Sequence, residues 1–305
     1  MSENTNKKIV LIDGHSILNR AFFGLPDLTN SEGLHTNAIY GFLTIMFKIL
    51  DEEKPDYLTV AFDVHAPTFR HKMYDAYKGT RKPMADELRQ QVPVIKEVLC
   101  SMGIKTIECE GLEADDLLGT LSRRCEEEGM EVSVISGDRD LLQLATQHVK
   151  IRIPKTKQGR TEVEDYYAAD VKERYQVTPK EFIDLKALMG DTADNIPGVP
   201  GIGPKTAISL IQKYHSVKEL YEKIDEIPFD YIGKGEQASL KIELSLTNKR
   251  AENSGVLLIE EPENHLTYAK LNKLINDISK LGKEKQIFIT THSSFVANKL
   301  DLSNL

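Results

Sequence analysis

Acidic residues that stand beside turn-forming residues are the part of this sequence with the clearest chemistry. A carboxylate at a helix N-terminus can be a simple cap, and that explanation suffices for Glu113 or Asp115 alone. It does not explain three acids within four residues, followed by two further acidic pairs. Nine positions stand at an expected strand end, at a helix start or in a Gly/Pro-rich loop: Asp13, Asp63, Glu113, Asp115, Asp116, Asp138, Asp140, Asp191 and Asp194.

Divalent metal is the economical way to hold so many carboxylates together, because without cations they would repel one another strongly. Oxygen-only ligands favour Mg²⁺ or Mn²⁺ over zinc. Two such ions about 3.5–4 Å apart can hold both the attacking water and the leaving oxygen of a phosphoryl displacement. The pattern therefore indicates hydrolysis of phosphodiesters, although phosphatases also use clustered aspartates.

The elements that must position these acids follow from hydrophobic patterning. Three short runs are apolar on both faces and each leads into an acidic residue near a turn former: 7–12, 57–62 and 131–135. We predict that they are buried parallel strands. Amphipathic segments of helical length separate them: 37–50, 86–102 and 113–128. The predicted fold class is therefore α/β with a doubly wound sheet, whose ligands bind at the carboxyl ends of the strands.

Residues 68–92 combine basic and aromatic side chains. Their basic residues include Arg70, His71, Lys72, Lys78, Arg81 and Lys82, and their aromatic residues are Phe69, Tyr74 and Tyr77. One interpretation is a solvated basic helix. The other is an arm that follows phosphates and offers aromatic faces to bases, as proteins that bind single-stranded nucleic acid do.

A glycine- and proline-rich loop separates two predicted helices. Thr178 and Pro179 suit the N-cap and first position of a helix over 179–189. Residues 190–204 are too rich in Gly and Pro for a regular element, and a new helix starts at Lys205. Backbone N–H groups before that helix can point at a phosphate without reading bases, and Lys205 adds a cation. The pattern favours a helix-hairpin-helix over an ordinary helix-helix turn.

Composition sets the class of protein. The 305 residues include 39 Lys+Arg, 47 Asp+Glu and 40% hydrophobic residues, which is typical of one large or two modest globular domains. No apolar run is long enough to cross a membrane, so we expect a cytoplasmic protein without membrane partners. Three cysteines without metal-ligand spacing argue against zinc and disulfides. The net charge of −8 does not exclude nucleic acid, because the nine singled-out carboxylates are enough to account for it.

Residues from about 7 to 227 resemble the 5′-nuclease domain of bacterial DNA polymerase I, a member of the flap endonuclease family. The stretches that carry the resemblance are LIDGHSILNRAFF, AFDVHAPTFRHKMYDAYKGTRKPMADEL, EGLEADDLLGTL, VISGDRDLLQL and LMGDTADNIPGVPGIGPKTA. It implies a PIN/flap-endonuclease-like core over 1–175, with a helical arch, and a helix-hairpin-helix subdomain over 176–227. It also implies structure-selective cleavage of 5′ flaps and 5′ ends of DNA with two Mg²⁺ or Mn²⁺ ions, in replication and repair.

The resemblance also implies roles for individual residues. One metal group would be Asp13, Asp63, Glu113 and Asp115, with Asp116 close by, and the second would be Asp138, Asp140, Asp191 and Asp194. Lys78 and Arg81 match catalytic arch residues that steer the scissile phosphate and stabilise its charge. Tyr77 matches an aromatic residue that stacks on the terminal base, and Arg20 a further phosphate contact. The hairpin glycines would grip the duplex backbone together with K⁺: Gly198, Gly201 and Gly203.

Residues 229–305 instead resemble the C-terminal half of an ABC-type, SMC-like ATPase domain. The matching positions belong to the signature loop, the Walker B strand and the switch histidine: Gly235, Gln237, Glu260, Glu261 and His292. The phosphate-binding pattern G-x-x-x-x-G-K-[ST] is missing, so we expect no ATPase activity from the isolated chain. An alternative function is a nucleic-acid-binding or regulatory fusion that does not cleave and whose tail pairs with an ABC-type partner or with itself.

Overall fold

The computed structural model of the chain describes residues 7–64, 66–157, 160–223, 256–263 and 286–299, together with 271, 272, 274–276 and 278. The chain divides into two units. One comprises Met1–Gly198 and Ala207–Glu219, and the other comprises Val199–Thr206 and Leu220–Leu305. All nine candidate acids lie in the first unit.

A six-stranded sheet forms the centre of the first unit. Its strands are β1 (Lys8–Asp13), β2 (Tyr57–Ala61), β3 (Lys105–Ile107), β4 (Glu131–Ile135), β5 (Val149–Lys157) and β6 (Arg160–Tyr166). The order is β3-β2-β1-β4-β5-β6, in which only β6 runs antiparallel to its neighbour. Ile12 pairs with Val60 on one side and Ile135 on the other, so the ends of β1, β2 and β4 lie side by side. The three predicted parallel strands are confirmed.

Helices cover the sheet because residues of the central strands, such as Val10 and Leu11, are fully buried. The helices between residues 14 and 175 are α1 (Gly14–Gly24), α2 (Asn37–Glu53), α3 (Phe69–Met73), α4 (Asp86–Arg89), α5 (Gln91–Ser101), α6 (Ala114–Glu127) and α7 (Ala168–Tyr175), and α3 has no buried residue. Side chains of α2 such as Phe42 and Met46 pack with β1 and β2 in one apolar cluster. The helices predicted over 37–50 and 113–128 are confirmed.

Two predictions from the pattern differ from the structure. The single helix expected over 86–102 is divided into α4 and α5, because Pro93 has no N–H to donate to the preceding turn and is tolerated only near a helix start. The basic segment 68–92 is not one long helix either. In this segment only the five residues of α3 are helical before turns begin, so the basic side chains of the segment do not share a single helix.

A short β-ribbon follows helix α8 (Pro179–Met189). Thr178 caps this helix in a capping box with Glu181, as the sequence predicts. The loop then forms β7 (Gly190–Asp191), which pairs antiparallel with β8 (Ile196–Pro197), so the expectation of no regular element over 190–204 is wrong. Gly190 has φ 75°, and a β-carbon there would lie 2.2 Å from Gly198 N. The two glycines permit this close approach of backbones. Helices α9 (Pro204–Tyr214) and α10 (Val217–Glu222) follow.

The tail contains two parallel strands, β9 (Val256–Glu260) and β10 (Gln286–Thr290), and helix α11 (Ser294–Lys299). Ile259 packs with Leu274 and Ile278, and Val296 packs with Leu271 and Ile275. Both strands predicted in this segment are confirmed. Among the helices of the described residues, none combines the length and apolarity that a bilayer crossing requires.

The buried carboxylate of Glu53, at the end of α2, joins that helix to the sheet. Lys150 Nζ lies 2.6 Å from its Oε1, and Lys8 Nζ lies 3.2 Å from its Oε2. Arg152 Nη1 lies 2.8 Å from Oε1 without the alignment of a hydrogen bond, so that contact is ionic. Burial would raise the pKa of Glu53, but the hydrogen bond from Lys150 and the charges of Lys150 and Arg152 outweigh burial and lower it.

We expect Glu53→Gln to lower the free energy of unfolding by about 3 kcal/mol, because Arg152 and Lys150 lose a buried counter-charge. Glu52→Gln is the matched control: the Glu52 side chain also contacts Arg152 but is 39% exposed, against 4% for Glu53, so its loss should cost less than about 1 kcal/mol. The contribution of Glu53 should be complete above about pH 4.5 and lost as pH falls through its lower folded pKa. Urea unfolding at neutral and acidic pH measures both effects, and equal costs for the two variants would contradict the assignment.

Candidate metal centre

Asp13 is the last residue of β1 and the N-cap of α1. Its Oδ1 accepts a hydrogen bond from Ser16 N at 3.0 Å, and its Oδ2 accepts one from Ser136 Oγ at 2.8 Å. Burial raises the pKa of Asp13 to about 6, the charges of Asp63 and Asp138 act in the same direction, and the two hydrogen bonds oppose them. The strand end therefore holds a carboxylate that is oriented, desolvated and close to other anions.

Asp63 comes shortly after β2 and links three elements. Its Oδ1 accepts a hydrogen bond from Ala114 N, the first residue of α6, at 2.7 Å. Its own N–H donates to His15 Nδ1 at 3.1 Å. Burial lowers the pKa of His15, which favours the neutral ring that this acceptor role requires. His15 is not among the residues predicted from the sequence; its place two residues after Asp13 is the only local signal.

Asp115 and Asp138 complete what we call the central group. Asp138 caps the 3₁₀ helix Arg139–Leu144 that follows β4, and Asp115 lies in the first turn of α6. Burial, with the charges of Asp13, Asp138 and Asp63, raises the pKa of Asp115 to about 8. The central group is therefore four mutually repelling carboxylates, Asp13, Asp63, Asp115 and Asp138, at the carboxyl edge of the sheet.

Asp140 and Asp191 form a second set, which we call the bridged pair. Lys186 Nζ lies 2.9 Å from Asp140 Oδ1 and 3.0 Å from Asp191 Oδ2. Burial raises the pKa of Asp140, and the charges of Asp138 and Asp191 add to that effect. For Asp191, burial acts upward too, but Lys186 outweighs it and lowers the pKa. Lys186 is also absent from the sequence-based predictions, because only packing shows that it reaches both acids.

Glu113 and Asp194 form ion pairs with two basic side chains of the segment 68–92. Lys78 Nζ lies 2.9 Å from Glu113 Oε1, and Arg81 forms an ion pair with Asp194. The backbone agrees with these contacts, since Lys78 N–H donates to Asp194 O at 2.9 Å. The two predicted catalytic cations are therefore brought to the acids, but they are paired with carboxylates that are predicted metal ligands.

Tyr77 lies beneath these cations and is only 5% exposed. Its hydroxyl lies 3.0 Å from Glu113 Oε2 and 3.1 Å from Asp194 Oδ2. Burial raises the pKa of Tyr77, and the charges of Glu113 and Asp194 add to the effect, so the group is a neutral donor. In this arrangement the ring does not offer a face to a base. The predicted stacking role requires the segment to move, and it stays a prediction.

Asp116 is held as an ion-pair partner and helix cap. Both terminal nitrogens of Arg70 lie 2.8 Å from its oxygens, and its Oδ2 accepts a hydrogen bond from Glu113 N at 3.0 Å. Burial would raise the pKa of Asp116, but the hydrogen bonds from Arg70 and Glu113 N lower it. Its place in the metal group stays a prediction that the Arg70 contact does not favour.

The predicted DNA contacts lie elsewhere on the chain. Arg20 is half-buried on α1, and burial lowers its pKa. Gly198 packs against the backbone of Met189 and Gly190, so packing explains why a glycine stands at this position. The remaining three are exposed in the 199–206 segment of the second unit: Gly201, Gly203 and Lys205. Their DNA-binding roles stay predictions.

In the tail, His292 Nε2 lies 3.0 Å from Glu261 Oε1, and Glu260 is the last residue of β9. Two further positions of the predicted ATPase-like set lie outside the described residues: Gly235 and Gln237.

A cavity of about 460 Å³ opens beside the central group. Its wall contains acidic, basic and apolar side chains: Asp63, Val64, Ala66, Pro67, Thr68, His71, Lys78, Arg81, Leu112 and Glu113. Such a wall suits a ligand with an anionic group and an apolar or aromatic face.

The donor chemistry of the centre suits a hard divalent cation. The central group and the bridged pair offer carboxylate oxygens, and a cation would relieve the repulsion that, together with burial as the larger cause, raises the pKa values of Asp13 and Asp115. Within the part of the chain that the structure describes, no three Asp, Glu, His or Cys side chains lie close enough together to form a complete metal site. Metal binding would therefore have to draw the carboxylates closer together.

Sequence comparisons match nearly the whole chain to one family. Residues 8–176 match the 5′-3′ exonuclease, N-terminal resolvase-like domain, and residues 177–280 match the 5′-3′ exonuclease, C-terminal SAM fold. A 5′-3′ exonuclease from Aquifex aeolicus (strain VF5) is 34% identical over 294 residues, which is 92% of this chain and 100% of that protein. DNA polymerase I from Bacillus subtilis (strain 168) is 51% identical over 221 residues, which is 72% of this chain. The chain spans only about a quarter of the length of the polymerases that it matches.

Solved structures confirm the predicted fold class. A bacteriophage T5 flap endonuclease, in a complex described as pseudo-enzyme-product with DNA and metal ions, has a TM-score of 0.60 at 22% identity over 98% of this chain and 100% of its own. The T5 protein co-crystallised with metal ions has a TM-score of 0.58 at 23% identity, over 90% of this chain and 99% of its own. The comparisons give no support to the ATPase resemblance of 229–305, and the C-terminal exonuclease match extends into that segment.

We expect Asp115→Asn to stabilise the metal-free protein at alkaline pH. Because the folded pKa of about 8 lies above the ordinary value of 3.8, ionisation of Asp115 weakens folding as pH rises through that interval. In EDTA above pH 8, the variant should gain at least about 1 kcal/mol, or roughly 2–4 °C in Tm, and the gain should shrink toward about pH 4. Asp116→Asn is the matched control with the opposite sign, since Arg70 stabilises that charge. Shifts in the same direction for both variants would contradict this electrostatic assignment.

Proposed function

Because the chain belongs to the 5′-3′ exonuclease family, we propose that it is a Mg²⁺-dependent nuclease that hydrolyses DNA phosphodiesters at 5′ ends and 5′ flaps. The observation that carries the proposal is the central group, in which one strand end, two loops that follow strands and a helix start bring four carboxylates together. The similar fold of a flap endonuclease that was solved with DNA and metal ions supports it. Substrates are selected by DNA structure rather than base sequence.

The central group would hold one divalent ion, and the bridged pair, with Asp138 beside it, a second. This grouping places Asp138 with Asp13 and Asp115, unlike the assignment expected from the family resemblance. Such cations supply an activated water and neutralise charge on the reacting phosphate. A second ion would compete with Lys186 for the oxygens of the bridged pair. Mg²⁺ or Mn²⁺ as the two divalent ions, and K⁺ at the hairpin, are further parts of this proposal.

Lys78 and Arg81 would exchange their carboxylate partners for phosphate oxygens. In the structure they neutralise Glu113 and Asp194, and both line the cavity beside Asp63. When metal neutralises the acids and a phosphodiester enters the cavity, the two cations can donate to its oxygens, where charge increases during displacement. The apolar part of the wall would contact the adjoining nucleotide.

The hairpin at 199–206 would bind the sugar-phosphate backbone of duplex DNA. Gly201 has φ 81°, and the segment leads directly into α9, whose first N–H groups are suited to phosphate. Lys205 adds positive charge. Cooperation with a polymerase in replication and repair, and a cytoplasmic location, stay predictions that the bacterial relatives support.

The ATPase-like tail stays a hypothesis. The parallel pairing of β9 with β10 and the contact between Glu261 and His292 are compatible with it. The second candidate function, a non-cleaving DNA-binding or regulatory protein whose tail pairs with an ABC-type partner or a second copy, depends on this resemblance. Because the phosphate-binding pattern is missing, the chain should release no phosphate from ATP.

A fluorescent 5′-flap substrate tests the nuclease proposal. We expect cleavage with Mg²⁺ and none with EDTA, and Asp138→Ala should lower the rate by roughly 10³-fold, because metal supplies several kcal/mol of charge stabilisation. Asp51→Ala, an exposed acid on α2, is the control and should cleave like the wild type. Flap binding without Mg²⁺-dependent cleavage by the wild type would overturn the proposal and leave the second candidate.

Two lysines of the basic segment separate catalysis from attraction. We expect Lys78→Gln to lower kcat by about 10²–10³-fold with a small change in flap affinity, because its role concerns charge that develops on the phosphate. Lys72→Gln, an exposed residue of α3, should leave kcat unchanged. Single-turnover cleavage and fluorescence anisotropy measure the two quantities. A Lys78 effect confined to affinity would contradict the catalytic role.

A further inference from the structure

Two serine hydroxyls connect the end of β1 to the end of β4. Ser136 directly follows β4 and is fully buried. Its Oγ donates to Asp13 Oδ2 at 2.8 Å and accepts from Asp138 N at 3.0 Å. Ser16, in the first turn of α1, donates its N–H to Asp13 Oδ1 at 3.0 Å. Each oxygen of Asp13 is thus held by a different serine.

The second serine closes the connection from the other side. Ser16 Oγ accepts from Gly137 N at 2.8 Å, so the loop between Ser136 and Asp138 is fastened to α1 as well as to Asp13. A β-carbon on Gly137 would lie 3.0 Å from Ser16 Oγ, which is tighter than ordinary contact. Glycine at this position leaves room for the bond.

The sheet register makes this arrangement rigid. Strands β1 and β4 are neighbours, and Ile12 pairs with Ile135, so the next residues, Asp13 and Ser136, leave the sheet at the same level. The hydroxyl thus lies between two members of the central group, and it bonds to both. Another buried serine, Ser122, only donates to Gly119 O within its own helix at 3.0 Å, as a side chain that merely satisfies its own hydrogen bonding does.

We propose that Ser136, supported by Ser16, is a positioning residue of the metal centre. Its hydroxyl holds the Asp13 carboxylate and the Asp138 main chain so that both carboxylates can face the same cation. Without it, a buried carboxylate oxygen and a backbone N–H lose their partner, and two anions that repel each other are free to turn apart. Groups that orient metal ligands in this way typically contribute 10–100-fold to metal affinity. The inference rests on the proposed function.

The test is calorimetric titration of Mn²⁺ alone into the full-length, metal-free protein without DNA. We expect Ser136→Ala to raise the Kd for Mn²⁺ by about 10–100-fold. Ser136→Thr keeps the hydroxyl and should restore the Kd to within about threefold of the wild type. Ser133→Ala is the matched control, because Ser133 lies on β4 shortly before Ser136 and is 3% exposed, and it should leave the Kd unchanged.

Melting in EDTA separates positioning from folding. If Ser136→Ala lowers Tm much more than Ser133→Ala does, the Mn²⁺ titration is repeated with Ser16→Ala, because Ser16 is partly exposed. That variant should also weaken Mn²⁺ binding. Equal Kd values for the wild type, Ser136→Ala and Ser16→Ala would overturn the inference and leave the nuclease proposal intact. A wild-type protein that binds no Mn²⁺ would overturn both. Loss of affinity without rescue by Ser136→Thr would assign Ser136 to packing and also overturn the inference.

Discussion

Repulsion among carboxylates at one edge of a parallel sheet is the constraint on which the rest of this structure depends. Burial and mutual repulsion raise the pKa values of Asp13 and Asp115, so the fold keeps these charges together at a cost in stability. Proteins accept such costs where the same arrangement performs chemistry. The surrounding contacts are best understood as ways to hold the carboxylates in place.

The chain compensates these charges in different ways at neighbouring positions. Hydrogen bonds from serine and from a helix start hold Asp13 and Asp63 in the central group, which leaves their negative charge available. A lysine neutralises the bridged pair directly. Lys78 and Arg81 of the basic segment neutralise Glu113 and Asp194, and in the proposed function they would exchange these partners for phosphate. The three sets of acids therefore differ in how their charge is compensated. The central group, which is held by hydrogen bonds, is the first set that would need a metal ion.

The same charge compensation explains why the basic segment packs against the acids. Its long side chains gain counter-charges there, and Tyr77 adds a buried hydroxyl between Glu113 and Asp194. Under the proposed function, an anionic substrate would compete for those cations, while metal would compete for the carboxylates. Metal and DNA would then favour the same rearrangement, in which Lys78 and Arg81 turn toward phosphate. The rigid sheet, the apolar cluster under α2 and the Glu53 network hold the rest of the site still.

The sequence by itself determined the elements and the chemistry of the side chains. The central strands, the helices over 37–50, 113–128 and 179–189, the Thr178 cap and the all-oxygen donor set could be predicted because they depend on hydrophobic period, capping residues and residue type within a few positions. Other features became known only from the tertiary structure: the grouping of the acids, the contacts of Lys186 and Ser136, the burial of Tyr77 and the pairing of β7 with β8. These depend on distances between atoms up to 123 positions apart in the chain, as between Ser136 and Asp13, and packing alone sets such distances.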